Sequence, residues 1–386
     1  MQSRIQYGMV GGGEGAFIGE IHRIATRLDN HYELVAGAFC SEAERSIRSA
    51  KTLGISADRS YADFQEMAEK EQALTNGIEA VVIVTPNHLH LRIAEIFLKA
   101  GIHVICDKPL SATLEEAQGF AEFARKSDKI FALTYNYSGY PMVRHARALI
   151  AKGQLGEIRT VQIEYAQDWL SEKLEDSGHK QAAWRTDPEQ GGKGGLLGDI
   201  GTHAFHLSSF VSGLQTTEIL ADLNHFVEGR SLDDNAHILL RFSGGAKGML
   251  WVSQVATGNE NGLRLRIYGS EAGIEWSQEN PNYLKFSPLG DPSKILGRGS
   301  PELSESAAKV TRTPPGHPEG YIEGFANIYT EIAQAVYAAR EGKPVPQDVL
   351  FPDLEDGIAG MIFIEAALKS SRNNGKWVLL DNCIKT

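Results

Sequence analysis

Short apolar runs alternate with amphipathic stretches over the first 135 residues, the grammar of a parallel sheet in which each strand is followed by a helix. The runs Ile5 to Val10, Tyr32 to Phe39, Ala80 to Val84, Ile102 to Cys106 and Ile130 to Thr134 read as strands. After the first of them, Ile18, Ile21, Ile24, Ala25 and Leu28 recur at helical spacing, as expected of a helix covering one sheet face. Ser41 with Glu44, and Thr113 with Glu116, have capping-box spacing, and Gly54 and Gly101 stand where helices should stop. Beyond about residue 150 the pattern becomes one helix followed by successive strands. Ile158 to Ala166, Ile219 to Val227, Ala236 to Phe242, Lys247 to Val255, Leu263 to Tyr268 and Gly273 to Trp276 read as an antiparallel sheet, with a hairpin at Ser243-Gly244-Gly245-Ala246. Helices are expected at Tyr321 to Arg340 and Asp353 to Ser370. The expected organisation is α/β, with a doubly wound first domain over 1–135 and a second α/β domain over 136–386. A C-terminal helix is expected to pack back on the first domain.

Composition narrows the classes of function. The chain has 386 residues, 42% of them hydrophobic and 23% charged, an ordinary globular balance long enough for a sizeable core. Its formal net charge of -11 has the wrong sign for a protein that pairs with phosphate backbones, so nucleic acid and anionic membrane are not expected as partners. Cys40, Cys106 and Cys383 are too far apart for a metal knuckle or a disulfide framework. With no signal-like apolar run in Met1 to Gly13 and no membrane-length run elsewhere, the expectation is a soluble, cytoplasmic protein.

The chemistry is carried by three segments at predicted strand ends. Ile5 to Val10 runs into Gly11-Gly12-Gly13-Glu14-Gly15-Ala16 and then a helix, matching a dinucleotide fingerprint. Gly11 suits the tight turn, Gly13 a close approach to pyrophosphate, and Ala16 close helix packing. Gly11, Gly13, Glu14, Gly15, Ala16, Phe17 and Ile18 are therefore expected at the nucleotide. The second strand ends in Phe39-Cys40-Ser41 with no carboxylate for a ribose, and Arg45 and Arg48 follow, so Ser41 is a candidate contact and NAD and NADP both remain open. Thr85-Pro86-Asn87-His88 and Cys106-Asp107-Lys108-Pro109 follow the next two strands, which places Thr85, Asn87, His88, Asp107 and Lys108 where ligands bind in such sheets. A lysine there can stabilise a developing alkoxide. The third segment, Gly194 to His203, sets Asp199 and His203 four residues apart, as for a carboxylate orienting an imidazole base. Two alternatives stand beside that: a purely structural His203, and a metal held by Asp199, His203 and His206, although no metal is expected because no further ligand cluster completes a shell.

These segments together resemble the Gfo/Idh/MocA oxidoreductases, the glucose-fructose oxidoreductase and inositol dehydrogenase group, over nearly the whole chain. The resemblance implies a Rossmann domain followed by an α/β domain whose open, mainly antiparallel sheet often forms a subunit interface, hence a homodimer or homotetramer. It implies oxidation of a secondary hydroxyl of a sugar, glycoside or inositol with NAD or NADP. Lys108 matches the lysine of the family's Glu-Lys-Pro motif, Asp199 its motif aspartate and His203 its catalytic histidine. Asn136 matches a substrate-contact position beside Tyr137, and Gln181 to Pro188 resembles a loop near the sugar site. Within that loop Trp184 would stack on a pyranose, and Arg185 would bind hydroxyls or an anion. The chain departs from the pattern in carrying Asp107 for glutamate, and Ser138-Gly139 where many relatives carry an arginine. Two other readings share these residues: a glycosidase that oxidises a ring hydroxyl transiently on NAD, and a nicotinamide-sensing binding protein without chemistry.

Overall fold

The computed structural model describes residues 2–383. Its first elements alternate as β1 (Ile5–Gly11), α1 (Phe17–Leu28), β2 (Tyr32–Ala38), α2 (Ala43–Thr52), α3 (Phe64–Ala73), β3 (Ala80–Val84), α4 (His90–Lys99), β4 (His103–Cys106), α5 (Leu114–Ala124) and β5 (Phe131–Leu133). Then come α6 (Pro141–Ala151), β6 (Ile158–Ala166), α7 (Lys180–Arg185), α8 (Thr202–Ser212), β7 (Thr216–Asn224), β8 (Asn235–Phe242), β9 (Lys247–Ser253), β10 (Gly262–Gly269), β11 (Ala272–Ser277), β12 (Tyr283–Pro288) and β13 (Lys294–Gly297). The chain closes with α9 (Glu305–Ala308), α10 (Tyr321–Arg340), α11 (Leu354–Arg372) and β14 (Val378–Leu379). No described helix is long and apolar enough to cross a membrane.

The chain divides into two compact units, the first being the described residues up to Ser111, Glu115–Asn136 and Tyr321–Ile358. Its sheet is fully parallel in the order β2-β1-β3-β4-β5, so the strand order reverses between β1 and β3 and opens a crevice at their carboxyl ends. The buried run Ala80–Val84 is apolar throughout because both sheet faces are covered. One cover is α10, whose Phe325, Ile328, Tyr329, Ile332 and Val336 join Ile5, Tyr7, Ile21 and Ala25 in one core. Although α10 lies far along the chain, its apolar residues are used here rather than in the second unit.

The second unit is Ala112–Leu114, Tyr137–Gly320 and the described residues from Ala359 on. Its nine-stranded sheet runs β13-β12-β11-β10-β6-β9-β8-β7-β14. On β10 the inward Leu263, Leu265 and Ile267 are buried, while Arg264 and Tyr268 are exposed, the alternation of a sheet packed on one face. The sheet is mixed rather than wholly antiparallel, because β6 and β9 pair in parallel from Thr160 opposite Lys247 to Ala166 opposite Ser253. Phe242 N–H donates to Ala246 O at 3.1 Å and Gly245 N–H to Phe242 O at 3.2 Å, so the β8–β9 hairpin closes on a three-residue loop, Ser243-Gly244-Gly245, whose two glycines both take positive φ.

Candidate active site

The loop after β1 is built by close approaches that only glycine permits. Gly11 has φ +81°, and a Cβ there would lie 2.7 Å from the Val84 carbonyl oxygen. A Cβ on Gly19 would fall 2.4 Å from Gly12 Cα, so the helix meets the loop at Gly19. This corrects the role expected of Ala16, which is extended and precedes the helix. The loop residues spend several amides internally: Gly13 N–H donates to Phe39 O (3.3 Å), Glu14 N–H to Ser49 Oγ (3.1 Å) and Ala16 N–H to Gly13 O (3.0 Å). The amides of Phe17 and Ile18, in the first turn of α1, have no partner inside the helix and point their dipoles toward the loop. Arg23 donates to Gly12 O (2.6 Å) and Arg45 to Glu14 O (3.0 Å), fixing the loop from two helices. A cavity of about 580 Å³ is lined by Gly12 to Phe17, Glu20, Arg23, Arg48 and Ser49. Amides, arginines and open volume at a helix N-terminus fit a dinucleotide pyrophosphate. Ser41 is exposed in the turn before α2; it is not that helix's cap, because the helix begins later, with Glu42 at the N-cap position and no side-chain bond.

Two loops follow β3 and β4. Thr85 and Asn87 sit in the first, and His90, one turn on, places Nδ1 2.9 Å from Pro109 O and Nε2 2.9 Å from Thr85 O. The second carries Asp107, whose Oδ1 accepts the Lys108 N–H (2.9 Å) and the Thr134 hydroxyl (2.9 Å). Lys108 and His88 keep part of their surface exposed. Asn136 is buried, and its Nδ2 has no hydrogen-bond partner among the described residues, leaving a donor that a ligand hydroxyl would satisfy.

In the second unit, Asp199 lies in a π-helical turn, Leu197–Gly201, that runs straight into α8 and His203. Such turns widen a helix locally and recur at functional sites. Asp199 Oδ1 accepts from Arg185 Nε (3.1 Å) and Oδ2 from Gln254 Nε2 (2.8 Å). Arg185 also stacks on Trp184, 4.4 Å from its ring, and bonds Gln181, so both loop residues have partners within this unit. The buried His203 ring meets Tyr137 edge-on at 4.9 Å and Tyr165 at 6.4 Å. Trp169 Nε1 donates to Gln167 Oε1 (3.0 Å), Gln167 Nε2 to Asn261 Oδ1 (2.8 Å) and Tyr165 to the same oxygen (2.8 Å). An indole N–H only donates, so the whole row takes one orientation, and Tyr137, 2.6 Å from the Tyr165 hydroxyl, is the donor to it. Burial above all, with the Asp199 charge adding, raises the Tyr137 pKa and keeps this phenol protonated. His206 stacks on Phe210 at 5.7 Å, and no three potential ligands cluster among the described residues.

Gln254, Tyr165, Asn261, Gln167 and His90 were not visible as site residues in the sequence. None belongs to a motif, and each meets its partner through the fold.

Comparison with known proteins decides the family. The description "Oxidoreductase family, NAD-binding Rossmann fold" matches residues 5–135, and "GFO/IDH/MocA C-terminal domain" matches residues 143–275. An uncharacterised oxidoreductase of Bacillus subtilis is 38% identical over 381 residues, covering 97% of this chain and 96% of the relative. This chain belongs to the Gfo/Idh/MocA oxidoreductase family. Among solved structures, an inositol dehydrogenase homologue of Azotobacter vinelandii complexed with NAD+ is 37% identical with a TM-score of 0.94, over 98% of both chains. A complex of the Azotobacter vinelandii homologue with NADH and myo-inositol gives 36% identity and a TM-score of 0.92, again over 98% of each. As a Gfo/Idh/MocA member the chain is an oxidoreductase with an NAD-binding Rossmann domain.

Proposed function

We propose that this oxidoreductase oxidises a secondary hydroxyl of a sugar, glycoside or inositol, with residues 1–135 holding NAD or NADP and the remainder carrying substrate contacts and assembly. The observation that carries the reading is the setting of His203, a buried imidazole walled by two tyrosines, one turn after an aspartate whose oxygens are both held by side-chain donors. The 37%-identical inositol dehydrogenase homologue supports the substrate class.

In this reading His203 takes the hydroxyl proton, and Asp199 stabilises the imidazolium and orients the substrate. Lys108 stabilises the developing alkoxide. Asn136, Tyr137, Trp184 and Arg185 contact the ring, the Asn136 amide through its unsatisfied N–H. Gly11, Gly13, Glu14, Gly15, Ala16, Phe17 and Ile18 hold the pyrophosphate, with Ser41 toward the adenosine ribose and Thr85, Asn87, His88 and Asp107 toward the other end. The bound nicotinamide supplies the hydride acceptor.

The test is a panel of inositols, levoglucosan, free sugars and aryl glycosides with NAD and with NADP, following reduced-cofactor absorbance and released aglycone together. Reduced cofactor should accumulate with a member of the panel, and His203→Ala should lower that turnover by roughly 100-fold or more. Near-normal turnover in His203→Ala would remove the base from this assignment, and aglycone release without reduced cofactor would replace the dehydrogenase by a glycosidase.

A further inference from the structure

Lys108 is flanked by two residues that each face a buried histidine. On one side Asp107 caps the Lys108 N–H and ties it to Thr134 of the next strand end. Behind Asp107 stands His22 of α1, fully buried, with Nε2 3.9 Å from the same Oδ1 and Nδ1 2.6 Å from the Tyr329 hydroxyl of α10. Burial lowers the His22 pKa to about 4, so the ring carries one proton near neutral pH. With that proton on Nδ1, a lone pair would face the carboxylate. With it on Nε2, an N–H faces the carboxylate and Tyr329 donates to Nδ1, so both contacts are favourable. Electrostatics therefore orders the row as Tyr329 to His22 to Asp107.

On the other side of Lys108, the Pro109 carbonyl is 2.9 Å from His90 Nδ1, and Thr85 O is 2.9 Å from His90 Nε2. A carbonyl oxygen only accepts, and burial above all lowers the His90 pKa, so near neutral pH the ring donates its single N–H to one of these two carbonyls while lying between the loops after β3 and β4. The residues before and after the lysine thus each pack against a buried imidazole. Displacements of about 1 Å at a catalytic group are enough to cost about 100-fold in rate.

We propose that His22, oriented by Tyr329, and His90 are positioning residues that together aim Lys108. The proposal rests on the reading of Lys108 as the working cation, but its first test needs no substrate. Trinitrobenzenesulfonate labelling of the full-length enzyme, read peptide by peptide, reports how readily Lys108 reacts relative to the other lysines. His22→Leu and His90→Leu should each raise the relative rate at Lys108 by about threefold or more, since local opening of the loop exposes the amine. His22→Gln and His90→Gln, which keep an N–H donor, should return it to within about twofold of the wild type. Tyr7→Phe removes a comparable buried hydrogen bond, to Thr26 at 3.0 Å, away from Asp107, and should leave Lys108 unmoved.

With a polyol that the wild type oxidises, the leucine variants should lose about tenfold in kcat while the NADH Kd, read by fluorescence, stays within about threefold. Should a leucine variant fail to fold, Tyr329→Phe supplies the same direction of change for the His22 arm. Unchanged Lys108 labelling in the leucine variants overturns the proposal, as does identical behaviour of leucine and glutamine variants, or an equal change in Tyr7→Phe. A wild type silent on every polyol would defeat the dehydrogenase reading, whereas the labelling result stands or falls separately.

Discussion

Asp199 presents one oxygen to Arg185 and the other to Gln254, and the second of these donors is itself immobile. Gln254 N–H donates to Asp234 O at 2.9 Å and its carbonyl accepts from Leu170 N–H at 3.1 Å, so the side chain leaves a backbone fixed on both sides. Gln254→Leu removes a donor from a partly buried carboxylate, worth about 1–3 kcal/mol, and the expected outcome is roughly tenfold lower kcat with unchanged cofactor affinity. Equal losses in kcat and in NADH binding would assign Gln254 to general stability instead. Ser41 poses a different question at the same scale. It is exposed and caps nothing, so Ser41→Asp is expected to favour NAD over NADP by on the order of tenfold, through ribose hydrogen bonds and repulsion of a 2′-phosphate. Cofactor preference from paired kcat/KM values checks this, and no change would mean that the ribose lies out of its reach. Lys108, Asp199 and His203 were legible because each sits in a short segment with its own spacing. Gln254 was not, because it meets Asp199 across 55 residues of chain and only the strand end brings it there.

At the scale of elements, the contact between α1 and the glycine loop is the tightest in the nucleotide site. Gly19→Ala would put a methyl 2.4 Å from Gly12 Cα, which backbone must yield to accommodate. The expected outcome is at least tenfold weaker NADH binding by fluorescence titration with the rest of the fold retained, as overpacking typically costs about 1–3 kcal/mol. Binding at the wild-type level would show that the helix can withdraw without opening the loop. Strands such as Ala80–Val84 and Ile158–Ala166, and the helix Tyr321–Arg340, were readable to the residue, since their apolar periodicity or apolar run is unbroken. The strands β12 and β13 were not, because their half-exposed positions carry no alternation. The parallel pairing of β6 with β9 was equally hidden, since local pattern specifies a strand's faces and not its neighbour. The same limit explains why close helix packing was assigned to Ala16, when the close approach lies three residues further on at Gly19.

For the whole molecule, the outward face of the nine-stranded sheet and the buried histidines each lead to a measurable property. Leu239 and Met249 are register partners on neighbouring strands and remain 45% and 47% exposed, on a sheet whose other face is buried. We propose that a second copy of the chain covers this face, so light scattering at micromolar concentration should give a dimer or tetramer, and Leu239→Glu with Met249→Glu should dissociate it. A monomeric wild type would refute this. Acid stability follows from His22 and His103, whose pKa values burial lowers to about 4 in the folded chain. His103 adds a geometric reason, since its Nδ1 accepts the Ile130 N–H at 2.9 Å and must lose that bond on protonation. The unfolded chain binds these protons near pH 6.5 and the folded chain only near 4, so stability is full above the first value and falls as pH drops through the window. Each group accounts for up to about 3 kcal/mol of that loss. Asp233 and Asp353, whose carboxyl pKa values burial raises, work in the opposite direction and temper it. His103→Gln, which retains an acceptor for Ile130 but cannot protonate, should therefore show a shallower decline of its urea midpoint between pH 7 and about 4.5 than the wild type. Parallel declines in the two proteins would show that His103 protonates in the folded state without cost.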